Sequence, residues 1–182
     1  MLTINEYRKV ESLEEAYELN QKKNNKIIAG GVWMKIGDRR ISTAIDLSGL
    51  GLDKITETET EFVIGAMTSL REIEKHVGLA AYTNGAIRES VRHIVGVQFR
   101  NCATVGGSIF GRFGFSDVLT VFLAMDTQVE LYHAGMVPLK DFVDMPYDND
   151  ILIALHVAKK PIRIAYLSQR NTKTDFPVLA CC

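Results

Sequence analysis

The chain has 182 residues, 47% of them hydrophobic, which is enough for one ordinary domain or for two small lobes around a shared ligand. Its 21 basic and 22 acidic residues leave a formal charge of −1, so neither nucleic acid nor an anionic membrane surface is an expected partner. The stretch from Met1 to Leu19 holds acidic residues where a signal peptide needs an apolar core, and no apolar run is long enough to span a bilayer; the expected location is the cytoplasm.

In chain order, Ile4 to Arg8 reads as a short strand. Ser12 is a credible N-cap with Glu15 completing a capping box, and Leu13, Ala16, Tyr17 and Leu19 fall near one face, predicting an amphipathic helix over residues 12–22. Lys26 to Ala29 is an apolar strand cut off by Gly30-Gly31. A helical turn or two follows through Trp33, Met34 and Ile36, and Ser42 to Leu47 is a third strand. This βαβαβ order predicts a small parallel sheet in a first lobe, residues 1–52.

The second lobe, residues 53–167, has a different pattern. Residues 53–59 and 61–65 read as strands, Thr68 or Ser69 caps a helix over residues 70–76, and Ile87, Val91, Ile94 and Val95 keep helical spacing over residues 84–95. Residues 96–117, with five glycines, read as a long loop. Residues 118–125 are apolar on nearly every side and should be buried. Strands follow over 128–132 and 150–157, a short helix lies between them over 139–143, and residues 162–167 are placed to pair with the last strand. The fold class is therefore α+β, with a small βαβαβ lobe and a larger lobe built on a mixed or antiparallel sheet with helices.

Cys102, Cys181 and Cys182 make no CxxC pair, and His76, His93, His133 and His156 are scattered, so no metal site or catalytic triad is expected and the thiols read as reduced. Two glycine-rich turns carry the chemistry instead. Ile28-Ala29-Gly30-Gly31-Val32-Trp33 follows a strand, and Thr104-Val105-Gly106-Gly107-Ser108 lies in the second lobe. Paired glycines let backbone approach a ligand closely and aim N–H groups at an anion. Neither turn fits GxGxxG or GxxxxGK[ST], which disfavours a Rossmann site and a P-loop. A shared diphosphate ligand would suit two such turns, with Asp117 either accepting from ribose hydroxyls or capping the helix that follows. Trp33, the only tryptophan, could cover a ring or a partner surface, or pack in the core. Arg88, Arg92 and Arg100 could approach a diphosphate or form a solvated basic face.

The stretch from Phe99 through Arg100-Asn101-Cys102-Ala103-Thr104-Val105-Gly106-Gly107-Ser108-Ile109, then Ser116-Asp117-Val118, Leu123-Ala124-Met125-Asp126 and Val129-Glu130-Leu131, resembles the signature of the FAD-binding subunits of molybdenum hydroxylases, the xanthine dehydrogenase and carbon monoxide dehydrogenase group. Ala29-Gly30-Gly31 and Ile64-Gly65-Ala66-Met67-Thr68 are similar to two further motifs of that family. The resemblance implies a two-lobed FAD-binding fold, with FAD extended between the lobes and its diphosphate on both Gly-Gly turns. By position it puts Ile28 to Val32 and Thr104 to Ser108 on the cofactor and Asp117 on the adenosine ribose, with Trp33 next to the first turn. Ile94 and Leu152 fall near a ring, or else are plain core residues. Partners implied are a molybdenum-pterin large subunit and a 2Fe–2S small subunit, with electrons passing through FAD to NAD or another acceptor and no catalytic acid or base supplied by this chain.

Three residues depart from the pattern: Val32 stands for a threonine, Ser108 for an asparagine and Phe110 for a small residue. The resemblance also implies a C-terminal domain of on the order of 100 residues, of which residues 168–182 would be the start. That shortfall feeds the alternative of a non-catalytic docking subunit with weak or no flavin binding.

Overall fold

The strands sort into two sheets and a terminal hairpin. In the computed structural model, which describes residues 1–182, the first sheet joins β1 (Thr3–Lys9), β2 (Lys26–Ile28) and β3 (Arg40–Asp46) in the order β1-β3-β2, all parallel. Helix α1 (Leu13–Asn20) connects the first two strands. Its Ser12 hydroxyl accepts from the Glu15 amide at 3.1 Å, while the Glu15 carboxylate turns back to accept from Glu11 at 2.9 Å, so the expected capping box forms with its return bond one residue earlier. Ala16 packs on Val10, Ile45, Leu47 and Ile151 in a small core; Ile151 arrives from the far end of the chain and ties the lobes together.

The second sheet is antiparallel throughout. It contains β4 (Ile55–Glu57), β5 (Glu61–Gly65), β6 (Thr127–Leu131), β7 (Gly135–Pro138) and β8 (Leu152–Ala158), in the order β4-β5-β8-β6-β7. One face is covered by α2 (Leu70–Lys75), α3 (Val77–Tyr82), α4 (Ala86–Arg92), α5 (Val97–Cys102), α6 (Val105–Phe110), α7 (Asp117–Leu123) and α8 (Leu139–Asp144), enclosing a core of 25 buried residues that includes Phe62, Ile87, Ile109 and Phe122. Ser69, not Thr68, caps α2 by accepting from the Glu72 amide. The chain closes on a hairpin of β9 (Leu167–Gln169) and β10 (Leu179–Cys181).

Several expectations are corrected. Residues 96–117 are not one long loop, because α5 and α6 occupy most of them. Six-residue helices, one of them holding two glycines, have little intrinsic stability; Val105 and Ile109, both fully buried, hold α6 by tertiary packing. Residues 162–166 form no strand, since β8 is already paired on both edges by β5 and β6. Helix α3 was not expected either: His76 starts it, its ring nitrogen accepting from the Leu79 amide at 3.1 Å.

Arg100 does not join a solvated face. It is 5% exposed, and its guanidinium donates to Glu74 at 2.8 Å and to the Ile94 carbonyl at 3.1 Å, clamping α5 to α2. Burial alone would raise the Glu74 carboxyl, but hydrogen bonds from Arg100 and Arg71, with their charges, outweigh it and hold the group below its ordinary 4.5. A depressed carboxylate contributes stability above its unfolded value and loses it as pH falls through the folded one. Acid unfolding should therefore include a Glu74 component below pH 4.5. Glu74→Gln should remove that component and, by leaving a buried guanidinium unpaired, destabilise the protein by about 3–5 kcal/mol in denaturant titrations at neutral pH. An unchanged acid limb would show that the clamp is not its source.

Candidate functional site

A cleft of about 600 Å³ runs between the two lobes, within the size range of small-molecule sites. The turn after β2 forms one wall and the start of α6 the other. The first wall meets the α5–α6 junction without a side chain, since a Cβ on Gly30 would lie 1.8 Å from the Cys102 carbonyl oxygen; within the larger lobe, a Cβ on Gly106 would lie 2.5 Å from the Ala66 carbonyl oxygen. Gly31 has φ +68°, a left-handed conformation that favours glycine. Each of these glycines is thus required by the backbone before any ligand is considered.

The two turns differ in their free hydrogen bonds. At the second, the Val105 amide donates to the Thr68 carbonyl and the Gly106 amide to the Ala66 carbonyl, both at 2.9 Å. Gly107 donates to the Thr104 hydroxyl at 3.2 Å and Ser108 to the Thr104 carbonyl. These four donors are engaged inside the chain, so the second turn holds no backbone N–H free for an anion as it stands. The first turn is the opposite case: the amides of residues 29–34 donate to no carbonyl or side chain of the protein. Consecutive unpaired N–H groups around a left-handed residue form an anion-binding concavity, and this one faces the cleft.

Of the residues singled out in the sequence, Ala29, Gly30, Gly31, Val32, Trp33, Ile94, Thr104, Gly106, Gly107, Ser108, Asp117 and Leu152 line the cleft together. Ile28 and Val105 do not: Ile28 is half-buried in β2, and Val105 is fully buried in the larger core because the α6 periodicity turns it inward. Trp33 is not a core residue, being 45% exposed. Phe113, Phe115, Arg170 and Phe176, which the sequence does not single out as site residues, also line the cleft. Phe113 and Phe115 could have been suspected from their place between Gly111 and Asp117; nothing in the sequence brings Arg170 or Phe176 there.

Asp117 is the first residue of α7, and Ser116 is its cap, the hydroxyl accepting from the Leu119 amide at 3.1 Å. The capping role considered for Asp117 is thereby corrected. One oxygen of its buried carboxylate accepts from both the Tyr166 hydroxyl and the Arg170 guanidinium; the other has no partner in the chain. Burial pushes the carboxyl above its ordinary 3.8, against the hydrogen bond from Tyr166 and the charge and hydrogen bond of Arg170. Burial and the hydrogen bond to Asp117 push the Tyr166 hydroxyl up in turn, so it stays a donor. Across the cleft, the buried Asn20 amide donates to the Asn149 carbonyl at 2.7 Å, fixing α1 against the 148–150 turn. No group of three His, Cys, Asp or Glu side chains could hold a metal ion, and no helix is long and apolar enough to cross a membrane.

Asp117→Ala should therefore lower fold stability as well as alter the cleft, because it strands the 7%-exposed Arg170 side chain. A loss of about 3–5 kcal/mol is expected from chemical denaturation. The double variant with Arg170→Met should recover much of it, whereas an Asp117→Ala protein as stable as the parent would mean the pair is solvated in solution.

The profile of the FAD-binding domain in molybdopterin dehydrogenase matches residues 3–158. A protein of Escherichia coli K12 called YgfM is 27% identical over 164 residues, covering 88% of this chain and 61% of its own, so the chain spans about three-fifths of that relative. The fold is shared with carbon monoxide dehydrogenase from Hydrogenophaga pseudoflava (TM-score 0.84, 23% identity, 94% of this chain and 66% of that one). Quinoline 2-oxidoreductase from Pseudomonas putida 86 shares it as well (TM-score 0.86, 18% identity, 96% of this chain and 66% of that one). With 156 of its 182 residues inside the family profile, this chain belongs to the FAD-binding domains of the molybdopterin dehydrogenases, and FAD is its cofactor.

Proposed function

We propose that the chain is the FAD-binding, electron-transferring part of a molybdenum hydroxylase assembly in the cytoplasm. In this reading a molybdenum-pterin subunit oxidises the substrate, a 2Fe–2S subunit carries the electrons, and NAD or another acceptor collects them. The observation that carries the proposal is the run of unpaired amides from Ala29 to Met34, facing a cleft of about 600 Å³. Such a run holds a diphosphate without a charged side chain, and the loss of a hydroxyl at Val32 leaves it intact. Bound FAD would supply the ability to accept electrons singly and release them in pairs.

The residues of the chain would bind and shield. Ala29 to Met34 would hold the diphosphate by backbone. Gly106 and Gly107 would form a floor without side chains, low enough for the cofactor to lie against α6. Ile94 and Leu152 would exclude water on the apolar side of the cleft, which Leu152, 5% exposed, borders from the larger core. The free oxygen of Asp117 would accept from a ribose hydroxyl, Arg170 and Tyr166 holding the carboxylate in place.

The test is the visible spectrum of the purified protein, with FAD titration of the parent and of Gly107→Val. A Cβ at Gly107 meets only the Thr104 hydroxyl, at 3.3 Å, so the fold should survive. Added bulk on the cleft floor should weaken FAD by roughly ten- to a hundredfold. A variant that binds FAD like the parent would move the site elsewhere. A colourless parent that FAD does not stabilise would favour a docking subunit without flavin.

A further inference from the structure

Four aromatic side chains from three separate segments gather at one end of the cleft. Trp33 follows the unpaired amides directly, Phe113 and Phe115 come from the segment between α6 and α7, and Phe176 comes from the loop between β9 and β10. None belongs to either hydrophobic core, and each is 39 to 58% exposed. Two pairs lie almost flat on one another: Trp33 on Phe176 at 13° and 5.5 Å, and Phe113 on Phe115 at 11° and 5.1 Å. Phe115 closes the group, 4.7 Å from Phe176.

Phe176 is the loosely held member. Residues 171–177 make hydrogen bonds only within residues 169–178: Asp175 to Thr172, Thr172 to the Asp175 carboxylate, Arg170 to the Asp175 carbonyl, and Val178 to Gln169. At the cleft the loop touches the body of the protein through aromatic stacking, with the Arg170–Asp117 ion pair as its hinge post, while residues 171–173 lie beside Glu89 and His93. It can therefore swing away without breaking a backbone hydrogen bond to either lobe.

We propose that Trp33, Phe113 and Phe115 form a stacking slot for one planar ring of the cofactor, and that Phe176 occupies the slot until that ring displaces it. This rests on the reading of the cleft as a FAD site. The amide of Trp33 is part of the anion-binding run while its indole is part of the slot, so ring and phosphate sites adjoin. In a dinucleotide each ring is joined to the diphosphate by a short sugar or ribityl chain, which suits that adjacency. An isoalloxazine or adenine ring offers more flat area to the indole than the single benzene ring of Phe176, so exchange favours the ligand.

Trp33 is the sole tryptophan, and its emission reads the slot directly. The experiment titrates FAD, ADP and FMN into the full chain and into Phe176→Ala, Phe176→Leu and Trp33→Leu, following Trp33 emission where it is present and flavin absorbance or calorimetry throughout. With the competitor removed, Phe176→Ala should bind FAD roughly three- to tenfold more tightly. Phe176→Leu should fall between the two, Trp33→Leu should bind more weakly than the parent, and FAD should quench Trp33. The same gain with ADP assigns the slot to adenine, and with FMN to isoalloxazine. If FAD binds Phe176→Ala no better than the parent, or leaves Trp33 emission unchanged, the slot is refuted while the FAD site stands. If FAD binds neither protein, the reading of the cleft falls and the slot with it.

Discussion

The small parallel lobe and the larger antiparallel lobe meet where Gly30 lies against the carbonyl of Cys102, at a separation that admits no Cβ. Everything in the cleft is set from that contact. It draws the turn after β2 onto the junction of α5 and α6, so that the unpaired amides of residues 29–34 and the side-chain-free start of α6 face each other across one space. Behind it, the buried Arg100–Glu74 clamp fixes α5, and the Leu70 amide donates to the Ala103 carbonyl at 2.8 Å. Asn20, reaching Asn149, and Ile151, in the smaller core, provide second and third ties between the lobes. The two walls of the cleft are thereby held in register.

The two Gly-Gly turns look equivalent as sequence and are physically different. The first ends a parallel strand and enters a single 3-10 turn, a geometry that leaves its donors without acceptors. The second begins a helix whose capping threonine and whose neighbours Ala66 and Thr68 accept every nearby donor. One turn offers hydrogen bonds; the other offers clearance. Unpaired backbone donors are costly unless water or a ligand serves them, so the first turn is where a bound anion contributes most.

Asp117 joins the cleft to the chain's last hairpin. Its carboxylate anchors Arg170 and Tyr166 on one oxygen and leaves the other free. An ionised group this buried tolerates its position only while it is paired. The wall of the cleft and the seating of residues 167–181 are thereby linked through a single side chain, and the aromatic group around Trp33 adds a second link at the other end of the loop.

Much of the smaller lobe was legible in the sequence because its signals are local: the Ser12 cap, the strand ending at Gly30-Gly31, and the βαβαβ order that makes a parallel sheet. The glycines and the neighbouring motif residues also marked part of the cleft wall, since backbone conformation restricts which residues those positions accept. The rest was decided by tertiary structure. Helices α5 and α6 are too short and too poor in helix-forming residues to announce themselves; α6 is held by the buried Val105 and Ile109, and α5 by the buried Arg100. Arg100 pairs with a residue 26 positions away, which no helical spacing reveals. Residues 162–166 read as a strand until β8 is seen with both edges taken. Likewise, Trp33 and Phe176 are 143 positions apart and stack only because two lobes and a hairpin converge. Local patterning determines what a segment can form; which donors stay free and which rings meet depends on the partners that folding brings to them.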